Sequence, residues 1–342
     1  MSVLHLLGTS GDGGAETYFV DLVRALAGAG VAEAAALRAH AGRQAALSEA
    51  GVAVNTFGFG GPLDLMTRPR VAGFAREREA RVLLAWMNRA ARHAPRGPWA
   101  RVGRLGGYYN LKYYRGFDHL VGNTRDIVRW TITHGWPAER VSYIPNFAAA
   151  PAGLAPQDRA ALETPADAPL LLTLGRLHAS KAQDVALAAL ARLPGAYLWI
   201  AGAGPLEAAL KAQAHALGVT DRVRFLGWRN DASALYAAAD VCVFPSRYEP
   251  LGNVVIQAWA HGLPVVAAAS QGPASLIRDG EDGLLVPIDD AEALADATRR
   301  LIADTPLRAR LAAAGRARVA DEFSEVVVVA QWRELFARHG AG

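Results

Sequence analysis

The chain has 342 residues, of which 52% are apolar and 20% are charged; this excludes a long disordered segment and predicts two globular domains of about 150 residues each. A single cysteine, Cys242, excludes an internal disulfide and fits a reducing cytoplasm, and no apolar run is long enough to predict a transmembrane helix. The net charge of +4 is uneven, because residues 1–150 carry 18 Lys and Arg against 11 Asp and Glu, whereas residues 151–342 carry 18 against 21.

The first predicted unit is a strand, a glycine loop and a helix. Val3 to Leu7 is apolar and has no basic flank, so we expect a strand and not a signal peptide. Gly13 and Gly14 then precede apolar residues at helical spacing. Strand, loop and helix open a doubly wound sheet, and glycines let the backbone approach a ligand closely. The loop matches neither G-x-G-x-x-G nor a P-loop, so on its own it is more simply a tight turn.

Further alternation of apolar runs and helical patterns continues this sheet, with strands expected at 32–37, 52–57, 82–86, 120–122 and 141–145 and helices at 44–50 and 71–81. Two polar residues follow strand ends, where open α/β sheets bind ligands. Asn88 is therefore either a ligand-binding residue or a helix or turn cap. Asn123 lies in the turn after the next apolar strand.

The basic excess lies between Arg68 and Arg104, which span ten arginines and only two acids, Glu77 and Glu79. It predicts either a surface for anionic lipid or a phosphorylated acceptor, or a solvated helix face. The aromatic stretch 103–117 follows, with tyrosines that stack on an acceptor sugar, lie at a lipid interface or, as we favour, pack against the sheet. No nucleic-acid-binding motif is present, and we expect that the protein does not bind nucleic acid.

The second half begins after an Ala/Pro-rich stretch, which we interpret as a linker over 151–168. A buried strand at 170–174 leads into a loop that contains Arg176 and Lys181, ahead of a helix at 184–193. Two cations in a strand-to-helix loop offset the charge of a diphosphate, although in isolation surface charges on a loop are the simpler interpretation.

Residues 241–262 predict a strand, a loop and a helix, and the rest of this half is organised around them. Val241 to Phe244 is the strand, Glu249 lies in the loop, and Asn253 is the expected N-cap of a helix ending before Gly262. Such a turn directs backbone N–H groups and the positive helix end towards a phosphate. A carboxylate beside a phosphate is costly unless it binds hydroxyl groups, which indicates a nucleotide sugar.

This stretch resembles the signature of the retaining GT-B glycosyltransferases of family 4: a glutamate, a short glycine turn, seven residues and a second glutamate. Glu249 fills the first position, whereas Gln257 replaces the second glutamate. The Arg176–Lys181 pair, Gly13-Gly14 and the Gly202-Ala-Gly204-Pro turn also resemble this family.

The resemblance implies an α/β fold in which two Rossmann-like, doubly wound domains face each other across a cleft. We expect an acceptor-binding domain at 1–150, a nucleotide-sugar domain at 169–325 and a C-terminal helix at 326–342 that returns to the first domain. It also implies hexosyl transfer with retained anomeric configuration, without a metal, a resident cofactor or an enzyme nucleophile.

Residue roles follow from the same resemblance. Arg176, Lys181 and Glu249 are the expected catalytic residues, with Glu249 on the donor-sugar hydroxyls. The donor-binding residues are Gly13, Gly14, Trp228, Arg229, Leu251, Gly252, Asn253, Val254 and Gln257, of which Trp228 is alternatively a core residue. The acceptor candidates are Asn88, Tyr109 and Asn123.

The expected donor is a UDP-sugar, and the expected acceptor is a glycan or glycolipid of bacterial lipopolysaccharide or surface polysaccharide, at the cytoplasmic face of the membrane. Gln257 leaves open a weakly active nucleotide-sugar sensor, since a neutral amide replaces a carboxylate. An epimerase on the same architecture lacks identifiable acid/base residues. A nicotinamide dehydrogenase lacks G-x-G-x-x-G.

Overall fold

The computed structural model describes residues 2–11, 13–61, 63–148 and 155–340. The chain separates into unit 1, residues 1–146 and 325–342, and unit 2, residues 147–324. Residues 149–150 of the predicted first domain, 151–154 of the predicted linker and 341–342 of the predicted last segment lie outside the described residues.

Unit 1 is built on seven parallel strands in the order β3-β2-β1-β4-β5-β6-β7. The strands are β1 Ser2–Leu7, β2 Ala32–Leu37, β3 Ala53–Thr56, β4 Val82–Trp86, β5 Ala100–Leu105, β6 His119–Gly122 and β7 Val141–Tyr143. The helices are α1 Gly14–Gly28, α2 Ala41–Glu49, α3 Thr67–Glu77, α4 Met87–His93, α5 Arg125–Thr133 and, from the C-terminus, α13 Glu325–Gly340.

Unit 2 is built on six parallel strands in the order β10-β9-β8-β11-β12-β13. The strands are β8 Leu170–Leu174, β9 Tyr197–Ala201, β10 Val223–Gly227, β11 Val241–Phe244, β12 Val265–Ala268 and β13 Leu284–Val286. The helices are α6 Gln183–Leu190, α7 Glu207–Ala216, α8 Ala232–Ala238, α9 Asn253–Ala260, α10 Gln271–Leu276, α11 Ala291–Ala303 and α12 Thr305–Arg318.

The prediction of two doubly wound parallel sheets is confirmed. Both sheets are buried on each face, so their strands are nearly continuous apolar runs, and this is the pattern that made them recognisable. In each sheet the strand order reverses once, between β1 and β4 and between β8 and β11. Ligands of such sheets bind at this point, beyond the carboxyl ends of the two strands.

Two elements differ from the sequence-based expectation. Ala100–Leu105 forms β5 although the sequence suggested no strand there, because Arg101 and Arg104 interrupt its apolar pattern. The second is α10, Gln271–Leu276, where the sequence pattern suggested no helix. Residues 157–164 pack on unit 2, where the Arg159 guanidinium donates to the Ala238 carbonyl at 2.6 Å and Trp199 donates to Thr164 at 2.9 Å.

The aromatic stretch is packed mainly inward. Tyr114 is fully buried, and Tyr108, Tyr109 and Tyr113 are partly buried against the unit 1 core. The interpretation we favoured, packing against the sheet, is therefore confirmed for this stretch.

Candidate functional site

The point of strand reversal in unit 2 brings together the predicted charged residues. Arg176 and Lys181 follow β8, and Glu249 follows β11. Because β8 and β11 are adjacent parallel strands, the two loops lie at one edge of the sheet. This explains how residues nearly 70 positions apart in sequence share one site.

Lys181 and Glu249 form an ion pair between their side chains, which are 25% and 14% exposed. The second carboxylate oxygen of Glu249 accepts from the Leu251 N–H at 3.4 Å. Arg176 is exposed, and within the described chain no carboxylate lies at ion-pair distance from its guanidinium. The edge thus offers one paired and one unpaired cation, an arrangement that suits a dianionic ligand carrying hydroxyl groups.

The turn before α9 differs from the prediction in one residue. The helix begins at Asn253, so the expected Asn253 N-cap is wrong: Gly252 is the N-cap, with a φ of +88° that favours glycine. The N-cap glycine has no side chain that could cap this end of the helix. Leu251 is buried and Val254 partly buried beside it. The helix dipole therefore favours an anion here.

Arg247 is a site residue that the sequence patterns did not indicate. Its guanidinium donates to both carboxylate oxygens of Asp184, at 2.9 and 2.5 Å, and to Asp289 at 2.5 Å. It also donates to the Ala179 carbonyl at 2.9 Å. The Asp184 hydrogen bonds raise the pKa of Arg247 above its usual value. Arg247 therefore joins the loop of Lys181 to the loop of Glu249. The one sequence signal for this role is its position two residues before Glu249.

Glycines hold the same loops at backbone distance from their neighbours. A Cβ atom on Gly202 would lie 2.0 Å from the Gly175 carbonyl oxygen, and one on Gly204 would lie 2.4 Å from that of Leu177. Gly272 donates its N–H to the Glu249 carbonyl at 2.7 Å. The Gly-x-Gly-Pro turn therefore supports the loop that presents Arg176.

Strain is also present beside Lys181. Ala182 is fully buried and has a φ of +53°, in the left-handed region that is unfavourable for a residue with a Cβ. Such conformations cost about 1 kcal/mol or more and often lie at functional sites.

Gln257 points its side chain towards a buried tyrosine. The Tyr236 hydroxyl donates to the Gln257 Oε1 atom at 3.2 Å. Burial raises the pKa of Tyr236 well above its usual value, so this hydroxyl stays protonated and remains a donor. A carboxylate at position 257 would accept the same hydrogen bond.

The alternative of Trp228 as a core residue is wrong, because its side chain is 60% exposed. Its indole N–H donates to the Asn230 side chain at 3.0 Å. Arg229 forms an ion pair with Asp231 and donates to Gln157 at 2.9 Å.

In unit 1, the predicted residues lie at the matching edge of the sheet. Gly13 immediately precedes α1 and Gly14 is its first residue, while a Cβ on Gly14 would have no atom within 4 Å. Asn88 lies in the first turn of α4 and does not cap it, and Asn123 follows β6. The Oδ1 atoms of both asparagines are buried, and no hydrogen bond within the described chain reaches either. Both amides therefore have capacity for a ligand.

Arg104, at the end of β5, was expected on a basic surface but is only 2% exposed. Its guanidinium lies over the rings of Trp86, at 4.5 Å, and Tyr18, at 4.9 Å, and donates to the Asn146 side chain. No described carboxylate pairs with it. Burial lowers the pKa of Arg104, so its charge is held at a cost.

Among the described residues, no group of three His, Cys, Asp or Glu side chains is placed to hold a metal ion, and no helix is long and apolar enough to cross a bilayer.

Comparison with known proteins places this geometry among relatives. Residues 168–304 match the family model described as glycosyl transferases group 1. The lipopolysaccharide core biosynthesis glycosyltransferase LpsE of Rhizobium meliloti (strain 1021) is 40% identical over 329 residues, covering 95% of this chain and 96% of LpsE. LpsD of the same organism, described in the same words, is 36% identical over 99% of this chain and 98% of its own. The crystal structure of Anabaena HepE in complex with UDP superposes with a TM-score of 0.85 at 24% identity, covering 99% of this chain and 100% of HepE.

Proposed function

The chain belongs to the group 1 glycosyltransferases, family 4, with the GT-B fold, and we propose that it transfers a sugar from a UDP-sugar to the lipopolysaccharide core. The observation that carries this proposal is the meeting of Arg176, Lys181 and Glu249 at the strand reversal of unit 2. The full-length likeness to LpsE supports the choice of acceptor. The UDP named with the HepE structure supports the choice of nucleotide.

The proposed chemistry needs no enzyme nucleophile. The bond between the anomeric carbon and the diphosphate oxygen breaks while the acceptor hydroxyl attacks from the same face, which retains the configuration. The hydroxyl proton passes to the departing phosphate. Arg176, Lys181 and the N-terminus of α9 stabilise the charge on the diphosphate, a role that a metal ion fills in other transferases.

Donor binding rearranges one contact in this proposal. Lys181 turns from Glu249 towards the diphosphate, and the Glu249 carboxylate then accepts from hydroxyls of a hexose. Gln257 binds the ribose hydroxyls, and Trp228, Arg229, Gly13 and Gly14 complete the donor contacts. Leu251, Gly252, Asn253 and Val254 form the turn that faces the phosphates.

On the acceptor side, we assign Asn88, Tyr109 and Asn123 to the incoming core sugar. Their support is the pair of buried amide oxygens without a partner in the described chain and the half-buried ring of Tyr109. We place the reaction in the cytoplasm, at the inner face of the membrane.

The first test is calorimetric titration of the protein with UDP, GDP and ADP, followed by mass spectrometry of each matching nucleotide sugar with truncated lipopolysaccharide core. We expect selective binding of UDP and transfer of one hexose. Addition of a chelator should leave the rate unchanged. Binding of UDP without transfer to any core acceptor would favour a sensor, and no nucleotide binding would overturn the proposal.

A further inference from the structure

Three hydrogen-bond donors of unit 1 converge on one point, the position that a Cβ atom on Gly106 would take. This point lies 3.2 Å from Arg104 Nη1, 3.5 Å from the Tyr109 hydroxyl oxygen and 3.8 Å from Asn123 Nδ2. Arg104 lies near the end of β5 and Asn123 directly after the neighbouring strand β6, so the sheet brings the two side chains together. Gly106 and Tyr109 are each partly exposed, which leaves the point accessible from solvent.

The guanidinium at this point is a buried charge that its neighbours balance only in part. Arg104 is 2% exposed, and no carboxylate of the described chain lies at ion-pair distance from it. Its Nη2 atom donates to the Asn146 side chain, whereas its Nε atom is buried and donates to no described residue. Burial lowers the pKa of Arg104, and the groups that affect this pKa next are tyrosines and not acids. The rings of Tyr18 and Trp86 hold the guanidinium but carry no net charge to offset its own.

Asn123 independently indicates a ligand at the same point. The residue is 3% exposed, and its buried Oδ1 atom has no hydrogen-bond partner among the residues that the structure describes. Buried polar side chains are hydrogen-bonded in the large majority of cases. An amide that stays without a partner beside a cation without a counter-ion is therefore better explained by a binding site than by packing.

The donors determine which chemical group fits. A guanidinium, a phenol hydroxyl and an amide NH2 group all donate hydrogen bonds, so they suit oxygen atoms that only accept. Carboxylates and phosphates both offer such oxygens to an arginine. A phosphate monoester carries close to two negative charges at pH 7, whereas a carboxylate carries one. Because the groups that affect the pKa of Arg104 include no second cation, its single positive charge is balanced best by a carboxylate.

We propose that the acceptor is a sugar acid and that its carboxylate binds Arg104 at this point. The Tyr109 hydroxyl and Asn123 Nδ2 donate the neighbouring hydrogen bonds. The carboxylate offsets the cost of the buried cation, and a neutral sugar leaves that cost unpaired. Arg104 is thus a specificity-determining residue. The inference rests on the proposed function, since it names the class of acceptor for that reaction.

The test is transfer from the UDP-sugar to truncated lipopolysaccharide core in three forms: untreated, carboxyl-reduced with carbodiimide and borohydride, and dephosphorylated with hydrofluoric acid. We expect carboxyl reduction to raise the KM for the acceptor at least about tenfold while kcat changes little, because a charge-assisted hydrogen bond is lost. Dephosphorylation should leave the KM unchanged. A rise in KM after dephosphorylation alone would overturn the carboxylate and assign the point to a phosphate group.

Arg104→Met connects the effect to this side chain. The variant should raise the KM for untreated core about tenfold and leave the KM for carboxyl-reduced core unchanged. The matched control is Arg129→Met, which removes an arginine of the same unit whose side chain is 72% exposed, and it should alter neither value. An equal rise in both values for Arg104→Met would give Arg104 a purely structural role and overturn the inference.

Gly106→Ala tests the point while every charge is kept. Its methyl group would occupy the point itself, and Gly106 is not among the glycines with a left-handed φ, so the backbone tolerates alanine. The KM for untreated core should rise and that for carboxyl-reduced core should not. The control is Gly73→Ala in α3, where a Cβ would have no atom within 4 Å, and both its KM values should match those of the wild type.

The outcomes separate this inference from the proposed function. Equal KM values for untreated and carboxyl-reduced core, in a protein that transfers to both, would overturn the inference and leave the proposed function in place. Absence of transfer to all three forms would overturn the proposed function, and the inference with it.

Discussion

The sheet edges of the two units differ in whether carboxylates pair with their arginine and lysine side chains. In unit 2, Lys181 pairs with Glu249, and Arg247 pairs with Asp184 and Asp289. In unit 1, Arg104 is buried against aromatic rings and an amide, with no described carboxylate beside it. Paired charges fix loops in place at little net cost, whereas a lone buried cation is costly unless a ligand or a network repays it. The unit 2 edge is therefore ordered without a ligand, whereas the unit 1 edge contains a charge, that of Arg104, which no described carboxylate balances.

The glycines at the two sheet edges also differ, in how much space surrounds the position of a Cβ atom. Gly202 in unit 2 lies in backbone contact with Gly175, whereas Gly14 in unit 1 has open space around the position of a Cβ. The unit 2 edge is thus closed by contacts within the chain, whereas the position of Gly14 in unit 1 is open.

The largest effect is expected at the paired cation. Lys181→Ala removes a charge that stabilises the departing diphosphate, so kcat/KM should fall about 100- to 1,000-fold. The control is Lys211→Ala, which breaks an exposed pair with Glu207 and should change neither rate nor thermal stability measurably. An unchanged rate in a folded Lys181→Ala protein would remove this residue from the site.

Gly202→Ala tests the closed packing. The new methyl group would lie 2.0 Å from the Gly175 carbonyl oxygen at a φ of +149°, so we expect a loss of about 3 kcal/mol in the free energy of unfolding. Urea unfolding measures it. Gly14→Ala is the contrasting variant: stability should hold or rise slightly, while transfer slows if donor phosphates approach this loop. Equal stability of the two variants would contradict the contrast.

Arg247→Ala tests whether a positioning residue sets the geometry of the unit 2 edge. Loss of the link between the two loops should lower kcat about tenfold or more, because displacement of about 1 Å is enough for such losses. UDP affinity should fall less than kcat, and Arg247→Lys should restore little, since a single ammonium cannot replace the planar guanidinium. The control is Arg299→Ala, a surface arginine paired with Asp296. A change in stability alone would indicate a purely structural role.

Arg104→Met tests the lone cation of unit 1. Replacing a buried charge by an apolar side chain of similar length should leave the free energy of unfolding unchanged or raise it by about 1 kcal/mol. The KM for the acceptor should rise. The contrasting variant, Arg140→Met, removes donors to the Asp118 and Phe117 carbonyls and should lower stability while sparing the acceptor KM. A clear loss of stability with unchanged KM would make Arg104 structural.

The smallest effect is expected at Gln257. Gln257→Glu retains an acceptor for the Tyr236 hydroxyl and adds a charge towards ribose hydroxyls, so calorimetry should show UDP binding unchanged or tighter by at most about fivefold. Loss of binding by tenfold or more would place Gln257 away from the ribose.

The amino-acid sequence by itself determined the two parallel sheets and the loops with Arg176, Lys181 and Glu249. Buried parallel strands leave nearly continuous apolar runs, and loops at strand ends are legible from the glycines and charges that follow them. The N-cap of α11 is a feature of the same local kind, since the Asp290 side chain accepts from the Ala293 N–H three residues later at 2.8 Å.

Only the tertiary structure decided what depends on contacts between distant segments. The Lys181–Glu249 ion pair, the Arg247 link to Asp184 and Asp289 and the burial of Arg104 in β5 each join residues that no sequence period relates. From the sequence alone, an arginine is most simply interpreted as a surface charge. Its neighbours in the folded protein determine whether it is a surface residue, a link between loops or a buried cation. The physical reason is that strand order, and not sequence distance, sets which loops share an edge.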